Sequence, residues 1–286
     1  MELRVRRIRI HKITTASLVG IFGVLLFLLI AIFMASDRLN NDTKTLAQIP
    51  EDAISSEDED KEVFLDKEAV TELKIAENYA HSAGVIYLTF DDGPSEHTGR
   101  LLDTLKKYNA KATFFVTGRG DDALIKREHD EGHTVGLHTW SHVYSEVYSS
   151  VDNYFADLYK IRDRVKNITG EDPKLIRFPG GSSNLVSAQY TKGIMSTLAR
   201  EVENRGFRYF DWNVVSGDAG GTYTSDGVYN NVTSRLHEGA NVVLQHDIKD
   251  FSVDAVERII QYGTANGFTF EALKFDSPGM HHGINN

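Results

Sequence analysis

Apolar and polar positions divide the chain into three unlike stretches. From Ile13 to Ser36 no charged residue occurs, and Leu18 to Phe33 consists of Leu, Ile, Val and Phe with one Ala and two glycines. As a helix rising ~1.5 Å per residue, this stretch is about 35 Å long, enough to cross a hydrocarbon core. Arg4, Arg6, Arg7, Arg9 and Lys12 precede it against a single acid, Glu2. Such a positive flank stays on the cytoplasmic side, so the pattern predicts a cytoplasmic tail over 1–12, a transmembrane helix over 13–36 and everything after Asp37 outside the cell membrane. A cleaved signal peptide competes with this reading, since Ala31 to Ser36 loosely offers a small-residue exit. A buried core helix would not be this uniformly apolar beside a basic cluster.

The second stretch, 37–83, is polar and acidic, centred on Ser55-Ser56-Glu57-Asp58-Glu59-Asp60-Lys61-Glu62. A run of that kind cannot bury enough apolar surface to fold alone and reads as an extracytoplasmic linker. Apolar residues at loosely helical spacing between Val63 and Tyr79 allow a short helix before the next domain.

From Gly84 onward, strand-like and helix-like segments alternate. Strands are predicted at Val85–Phe90, Ala112–Val116, Thr134–Leu137, Ile176–Phe178, Phe207–Val215, Val242–Gln245 and Phe268–Leu273. Helices are predicted at Thr98–Tyr108, Asp121–Glu131, Val151–Thr169, Ile194–Arg205, Val228–His237 and Ser252–Asn266. In the long helix Phe155, Leu158, Ile161 and Val165 share one face, and Gly170 closes it. Repeated strand–helix units imply an α/β fold with a parallel sheet under helices. About seven strands, fewer than the usual eight, predict a distorted or incomplete (β/α) barrel over 84–276, with a frayed Gly/Asn tail over 277–286.

Composition narrows the chemistry. A net charge of −10 over 286 residues argues against a nucleic-acid partner. With no cysteine, disulfides and thiolate metal sites are excluded, so any metal must rest on His and Asp/Glu. The first strand ends in Asp91-Asp92-Gly93-Pro94, and the C-terminal end of parallel strands is where ligands collect. His138 and His142, three residues apart, could converge with Asp92 on a divalent cation, leaving an open position of the catalytic type. Unpaired carboxylates at a strand end are costly to bury, and a cation would offset that cost.

Five ordered segments carry a family resemblance. They are Thr89-Phe90-Asp91-Asp92-Gly93-Pro94-Ser95, Ala112-Thr113-Phe114-Phe115-Val116-Thr117-Gly118, and Gly132-His133 followed by His138-Thr139-Trp140-Ser141-His142. Arg177-Phe178-Pro179-Gly180-Gly181 and Leu244-Gln245-His246 complete the set. Together they resemble the polysaccharide deacetylases, the NodB-homology family or carbohydrate esterase family 4, over about Val85 to Leu273. The resemblance implies that Asp92, His138 and His142 hold a divalent metal, most often zinc, with cobalt or another divalent ion as alternatives. It implies that Asp91 is the general base and that Arg177 pairs with it. By the same resemblance the Gly180 N–H joins in stabilising the oxyanion, His246 is the general acid, and Leu244 walls the acetyl pocket.

One departure stands out. Family members carry an orienting Asp for the acid histidine in the strand that follows the Arg segment. Here the stretch reads Trp212-Asn213-Val214-Val215-Ser216-Gly217-Asp218-Ala219, with Val215 at the orienting position and Ala219 where a tryptophan is usual. Asp218 or Asp211 could substitute. Trp212 is either core packing or a sugar-stacking wall. His97 reads as a surface-loop residue, His129 and His133 as structural, and Tyr144, Tyr148 and Tyr154 as a packing and surface set; His281 and His282 fall in the frayed tail. The expectation is a membrane-anchored, metal-dependent hydrolase acting on a cell-wall glycan, peptidoglycan N-acetylglucosamine first, with no nucleic acid and no obligate protein partner. Deacetylation of N-acetylmuramic acid, exopolysaccharide or chitin-like oligomers, acetyl-ester hydrolysis, and a non-catalytic wall-binding module are the alternatives.

Overall fold

A computed structural model describes residues 83–286. The expected cytoplasmic tail, the membrane helix at 13–36 and the linker with its short helix over 63–79 lie outside the described residues, apart from the linker's last residue. Among the described residues no helix is long and apolar enough to cross a membrane.

The strands are β1 (Gly84–Asp91), β2 (Ala112–Val116), β3 (Thr134–Leu137), β4 (Leu175–Ile176), β5 (Arg208–Tyr209), β6 (Val214–Val215), β7 (Gly239–His246) and β8 (Phe268–Phe270). The helices are α1 (Thr98–Lys107), α2 (Asp122–Asp130), α3 (Tyr144–Val147), α4 (Val151–Thr169), α5 (Ile194–Asn204), α6 (Ser225–Thr233) and α7 (Asp250–Ala265). Local chemistry fixes several ends. Asp121 accepts from the Ala123 N–H at 2.9 Å and Ser150 from the Asn153 N–H at 3.1 Å, satisfying orphan donors at the starts of α2 and α4. Gly170, at φ 82°, ends α4 in the left-handed conformation that a side chain would disfavour. Thr224 caps the Gly227 N–H, so α6 begins before the predicted Val228 and ends at Thr233.

All strand pairs are parallel, in the order β5-β4-β3-β2-β1-β7-β6. β7 runs along the whole of β1, while β8 pairs with Gly84–Ile86 and β2 with Leu88–Asp91. The seven-strand path stays open, which is the incomplete barrel expected of the sequence. The predicted strand Phe207–Val215 is divided in two for the same reason. The Phe210 N–H still bonds to Ile176 O, but the Asn213 N–H bonds to Val242 O, so this segment crosses from one open edge of the sheet to the other.

The period of two along the strands separates two cores. Ile86, Leu88 and Phe90, with Phe114, Val116, Leu137, Ile176 and Val243, belong to the large apolar cluster with the helix residues. Tyr87, Phe115, Leu175, Phe210, Val242 and Leu273 form a second, smaller cluster. Thr89 and Asp91 continue the alternate face of β1 from Tyr87, so that face turns polar towards the strand's C-terminal end.

The C-terminal segment corrects the expectation of a frayed tail. His281 stacks on Tyr209 with ring centroids 3.9 Å apart and donates to Tyr209 O at 3.0 Å. The His282 N–H donates to Asp211 at 2.8 Å, and Asn286 accepts from the Gly193 and Ser196 N–H groups at the start of α5. A polar Gly/Asn composition offers little to bury, but its backbone and amide groups satisfy donors the domain leaves open. Truncation after Gly279 is therefore expected to lower stability by about 1–3 kcal/mol, the usual loss when buried hydrogen-bond partners go. Urea unfolding of the full chain and the truncated chain checks this; an unchanged midpoint would mean the tail adds nothing.

Candidate active site

The C-terminal ends of β1, β3, β4 and β7 meet at one cavity of about 420 Å³, lined by Asp91, Asp92, His138, His142, Tyr144, Gly180, Trp212, Ala219, Leu244, His246, Ile248 and Lys249. Strand register explains the convergence. Asp91 is level with His246 on the neighbouring strand and Thr89 with Leu244, while Leu137, just before His138, is level with Ile176, just before Arg177.

Arg177 is fully buried, and Asp91 is nearly so. Its Nη1 donates to Asp91 Oδ1 at 2.9 Å and to Thr89 Oγ1 at 2.6 Å. Nε and Nη2 donate to the carbonyls of Phe210 and Asp211, each at 2.9 Å. The guanidinium carbon lies 4.4 Å from the Phe115 ring centroid and 5.6 Å from that of Trp212. The ion pair fixes the orientation of the Asp91 carboxylate at the cavity.

Asp92 turns back towards the same cavity because its φ is 76°. Its Oδ1 is buried without a hydrogen-bond partner, 3.3 Å from His142 Nε2 and 3.6 Å from His138 Nε2. One ligand atom from each of the three residues lies within 4.8 Å of the others. His138 Nδ1 is 2.8 Å from the Arg177 carbonyl, which can only accept. Nδ1 therefore carries a proton and donates to that carbonyl, which leaves Nε2 on the side of Asp92. Burial, with His138 beside it, pushes His142 down to about 4, so it is neutral near pH 7. Burial pushes Asp92 up, but His138, His142, His246 and Arg119, where protonated, together more than offset this and keep it below its ordinary value. An orphaned carboxylate oxygen facing two imidazoles fits a divalent cation of the borderline type. Asp157 on α4 fixes the ligand loop by accepting from the N–H groups of Trp140 and Ser141.

On the strand beside Asp91, His246 Nδ1 is 2.9 Å from Asp218 Oδ1, and the His246 N–H donates to Asp218 Oδ2 at 2.8 Å. Ser216 and Ser252 hydroxyls donate to the same carboxylate, each at 2.7 Å. Burial alone would lower His246, but its hydrogen bond with Asp218 and the charges of Asp218, Asp91 and Asp92 prevail, raising it to about 9. Asp218 is thus the orienting carboxylate that the sequence left undecided. Asp211 instead accepts from Ser182 and the His282 N–H. Val215 is level with Leu244 and exposed, and plays no orienting part.

The remaining predicted residues also reach the cavity. Gly180, at φ 77°, has an N–H with no acceptor among the described residues, and a Cβ there would fall 2.4 Å from the Tyr144 hydroxyl. Leu244 is apolar wall. Trp212 is half-buried against His282 at 4.8 Å and also lines the cavity. Tyr144 corrects an expectation. It packs edge-on against Tyr148 at 5.4 Å, as the packing set requires, but also lies edge-on to His142 at 5.8 Å and lines the cavity, and burial raises its hydroxyl pKa. Asp247 was also missed. Its carboxylate accepts from Thr98 and its carbonyl from Ser95 Oγ at 2.7 Å, latching the acid-bearing strand to the Asp92 loop. Composition alone gives no signal for either residue.

A family model described as polysaccharide deacetylase matches residues 78–197. A peptidoglycan-N-acetylglucosamine deacetylase of Bacillus cereus is 35% identical over 205 residues, covering 68% of this chain and 70% of the relative. The catalytic domain of a peptidoglycan N-acetylglucosamine deacetylase from Eubacterium rectale has a similar crystal structure, with a TM-score of 0.69 and 51% identity over 71% of this chain and 94% of that one. A polysaccharide deacetylase structure from Bacillus cereus follows at TM-score 0.61 and 35% identity, over 71% of this chain and 96% of that one.

Two outcomes follow from the geometry. The chain should bind one zinc ion, and His138→Ala should lose it, as elemental analysis after dialysis would read; zinc retained by the variant would place the ion elsewhere. In the metal-free protein Asp218→Asn should drop the His246 pKa from about 9 to below its ordinary value of 6.5, followed by NMR titration. Because the folded pKa is the raised one, the stabilisation is full below pH 6.5 and fades as pH rises through 9. The stability gap between wild type and variant should accordingly narrow across that window.

Proposed function

The chain belongs to the polysaccharide deacetylases, and on that premise we propose that it hydrolyses N-acetyl groups from a cell-wall glycan, N-acetylglucosamine of peptidoglycan first. One observation carries the reading. The buried Asp91–Arg177 pair and the His246–Asp218 pair line a single cavity from neighbouring strands, beside the Asp92, His138 and His142 cluster. A carboxylate base and a protonated acid side by side serve hydrolysis; a module that only bound the wall would need neither.

A divalent cation held by Asp92, His138 and His142 would supply Lewis acidity, polarising the acetamide carbonyl and making water a stronger acid, with a pKa near ~7. Asp91, oriented by Arg177, takes a proton from the water that attacks the carbonyl carbon. The unengaged Gly180 N–H donates to the oxygen that becomes negative. His246 is protonated at neutral pH, and with Nδ1 committed to Asp218 it delivers its proton from Nε2 to the departing nitrogen. An amide requires that acid more than an ester does, because an unprotonated amine leaves poorly. Leu244 and Trp212 give the acetyl methyl an apolar wall.

The setting is also proposed. The uncharged stretch at 13–36 and the acidic run after it would tether the domain to the outer face of the cell membrane, within reach of the wall. Zinc is the first choice of metal for a site of two imidazoles and one carboxylate.

The test is acetate release by the zinc-loaded full chain from intact peptidoglycan and from N-acetylglucosamine oligomers. Release from peptidoglycan is expected, with Asp91→Asn lower by about 10²–10⁴-fold, the range for loss of a positioned base. Release from oligomers alone would move the substrate to another glycan, and none from either would overturn the reading.

A further inference from the structure

Lys249 is the only lysine or arginine lining the cavity, and among the described residues it has no ion-pair partner. Its acidic neighbours are already engaged: Arg100 pairs with both Asp250 and Asp254, and Asp218 is committed to His246. Its backbone is fixed, because the Lys249 N–H donates to His246 O at 3.3 Å and its carbonyl accepts from Ser252 and Val253 at the first turn of α7. Lys249 is half-buried and lines the same cavity as His246, with no ion-pair partner among the described residues. Two residues on, Phe251 lies edge-on to the highly exposed Tyr223, leaving an apolar surface next to the cation.

A neutral N-acetylglucosamine polymer offers such an ammonium nothing to pair with. A glycan that alternates with a carboxylate-bearing sugar does. We infer that Lys249 is a specificity residue that recognises a carboxylate on the sugar adjoining the one deacetylated. The inference rests on the deacetylase reading above and narrows it to an anionic glycan of the peptidoglycan type. The carboxylate has two possible sources with one chemistry: the lactyl group of a bare muramic acid, or a carboxylate of its stem peptide. A half-exposed ion pair is modest in strength and screened by salt, so it acts as a preference and not as an absolute requirement.

The experiment compares wild type, Lys249→Ala and Lys249→Arg, all as zinc-loaded full chains, on three tetrasaccharides. These are N-acetylglucosamine alone, the alternating muramic acid glycan with free lactyl groups, and the same glycan carrying stem peptides. The expected result is that Lys249→Ala lowers the ratio of kcat/KM for a carboxylate-bearing glycan over the neutral one by about three- to tenfold, through KM. Lys249→Arg should keep that ratio, and added salt should erode it in wild type and not in Lys249→Ala. A fall confined to the bare glycan assigns the lactyl group, and a fall confined to the peptide-bearing glycan assigns the peptide. An unchanged ratio on both overturns the inference. Dissociation constants of the same three glycans, measured calorimetrically on the same proteins, give the comparison without turnover. If wild type released no acetate, the deacetylase reading would fall while the ratio of affinities still decided the role of Lys249.

Discussion

The buried guanidinium of Arg177 is the constraint on which the rest of the site depends. Burying a charge costs several kcal/mol unless its donors are met, and here the chain meets them from two directions. Thr89 and Asp91 come from the central strand, and the carbonyls of Phe210 and Asp211 from the segment that crosses the open side of the barrel. The arginine therefore ties the middle of the sheet to the one place where the sheet does not close. Its own carbonyl then takes the Nδ1 proton of His138. One residue thus pairs with Asp91, sets the tautomer of His138 and holds the crossing segment that carries Trp212.

Two adjacent carboxylates acquire different jobs through backbone geometry. In a continuing strand Asp91 and Asp92 would point to opposite faces. The strand ends at Asp91, and a φ of 76° at Asp92 brings its carboxylate back into the cavity its neighbour already faces. Thr139 and His142 also have positive φ, at 69° and 52°, in the loop that supplies the imidazoles. Conformations of this kind are uncommon for residues with side chains and persist where the surroundings impose them. The Asp157 carboxylate, accepting from two N–H groups of that loop, is one such restraint. The site is assembled by departures from regular structure at the ends of regular strands.

Most of the scaffold and most of the site were legible in the sequence, because both rest on short-range pattern. Apolar runs of strand length, helices with caps and closing glycines, and carboxylates or histidines at strand ends place Asp91, Asp92 and His138 at one end of a parallel sheet, and the family resemblance adds Arg177 and His246. What was not legible depends on how the chain bends between those ends. Tyr144 reaches the cavity only because α3 forms directly after the histidine loop, and a four-residue helix leaves too little periodicity to detect. The C-terminal segment looked frayed because it has little to bury. Its role is polar: it supplies acceptors and donors to Asp211, Tyr209 and the start of α5.

Asp218 shows most clearly why position in sequence and position in space part company. A partner for the acid histidine must place a carboxylate oxygen at Nδ1, and that requirement says nothing about which residue supplies it. Val215, aligned with Leu244 in the sheet, is exposed and cannot do so. Gly217, at φ 82°, turns the chain immediately after Ser216, and the bend delivers Asp218 to the histidine instead. The carboxylate is then saturated by Ser216, Ser252, the His246 N–H and the imidazole itself. Donors of this number stabilise the ionised form against burial, and an ionised Asp218 in turn stabilises the imidazolium. The orienter has moved three residues along the chain without loss of its electrostatic role, because the surrounding hydroxyls and one glycine moved the constraint with it.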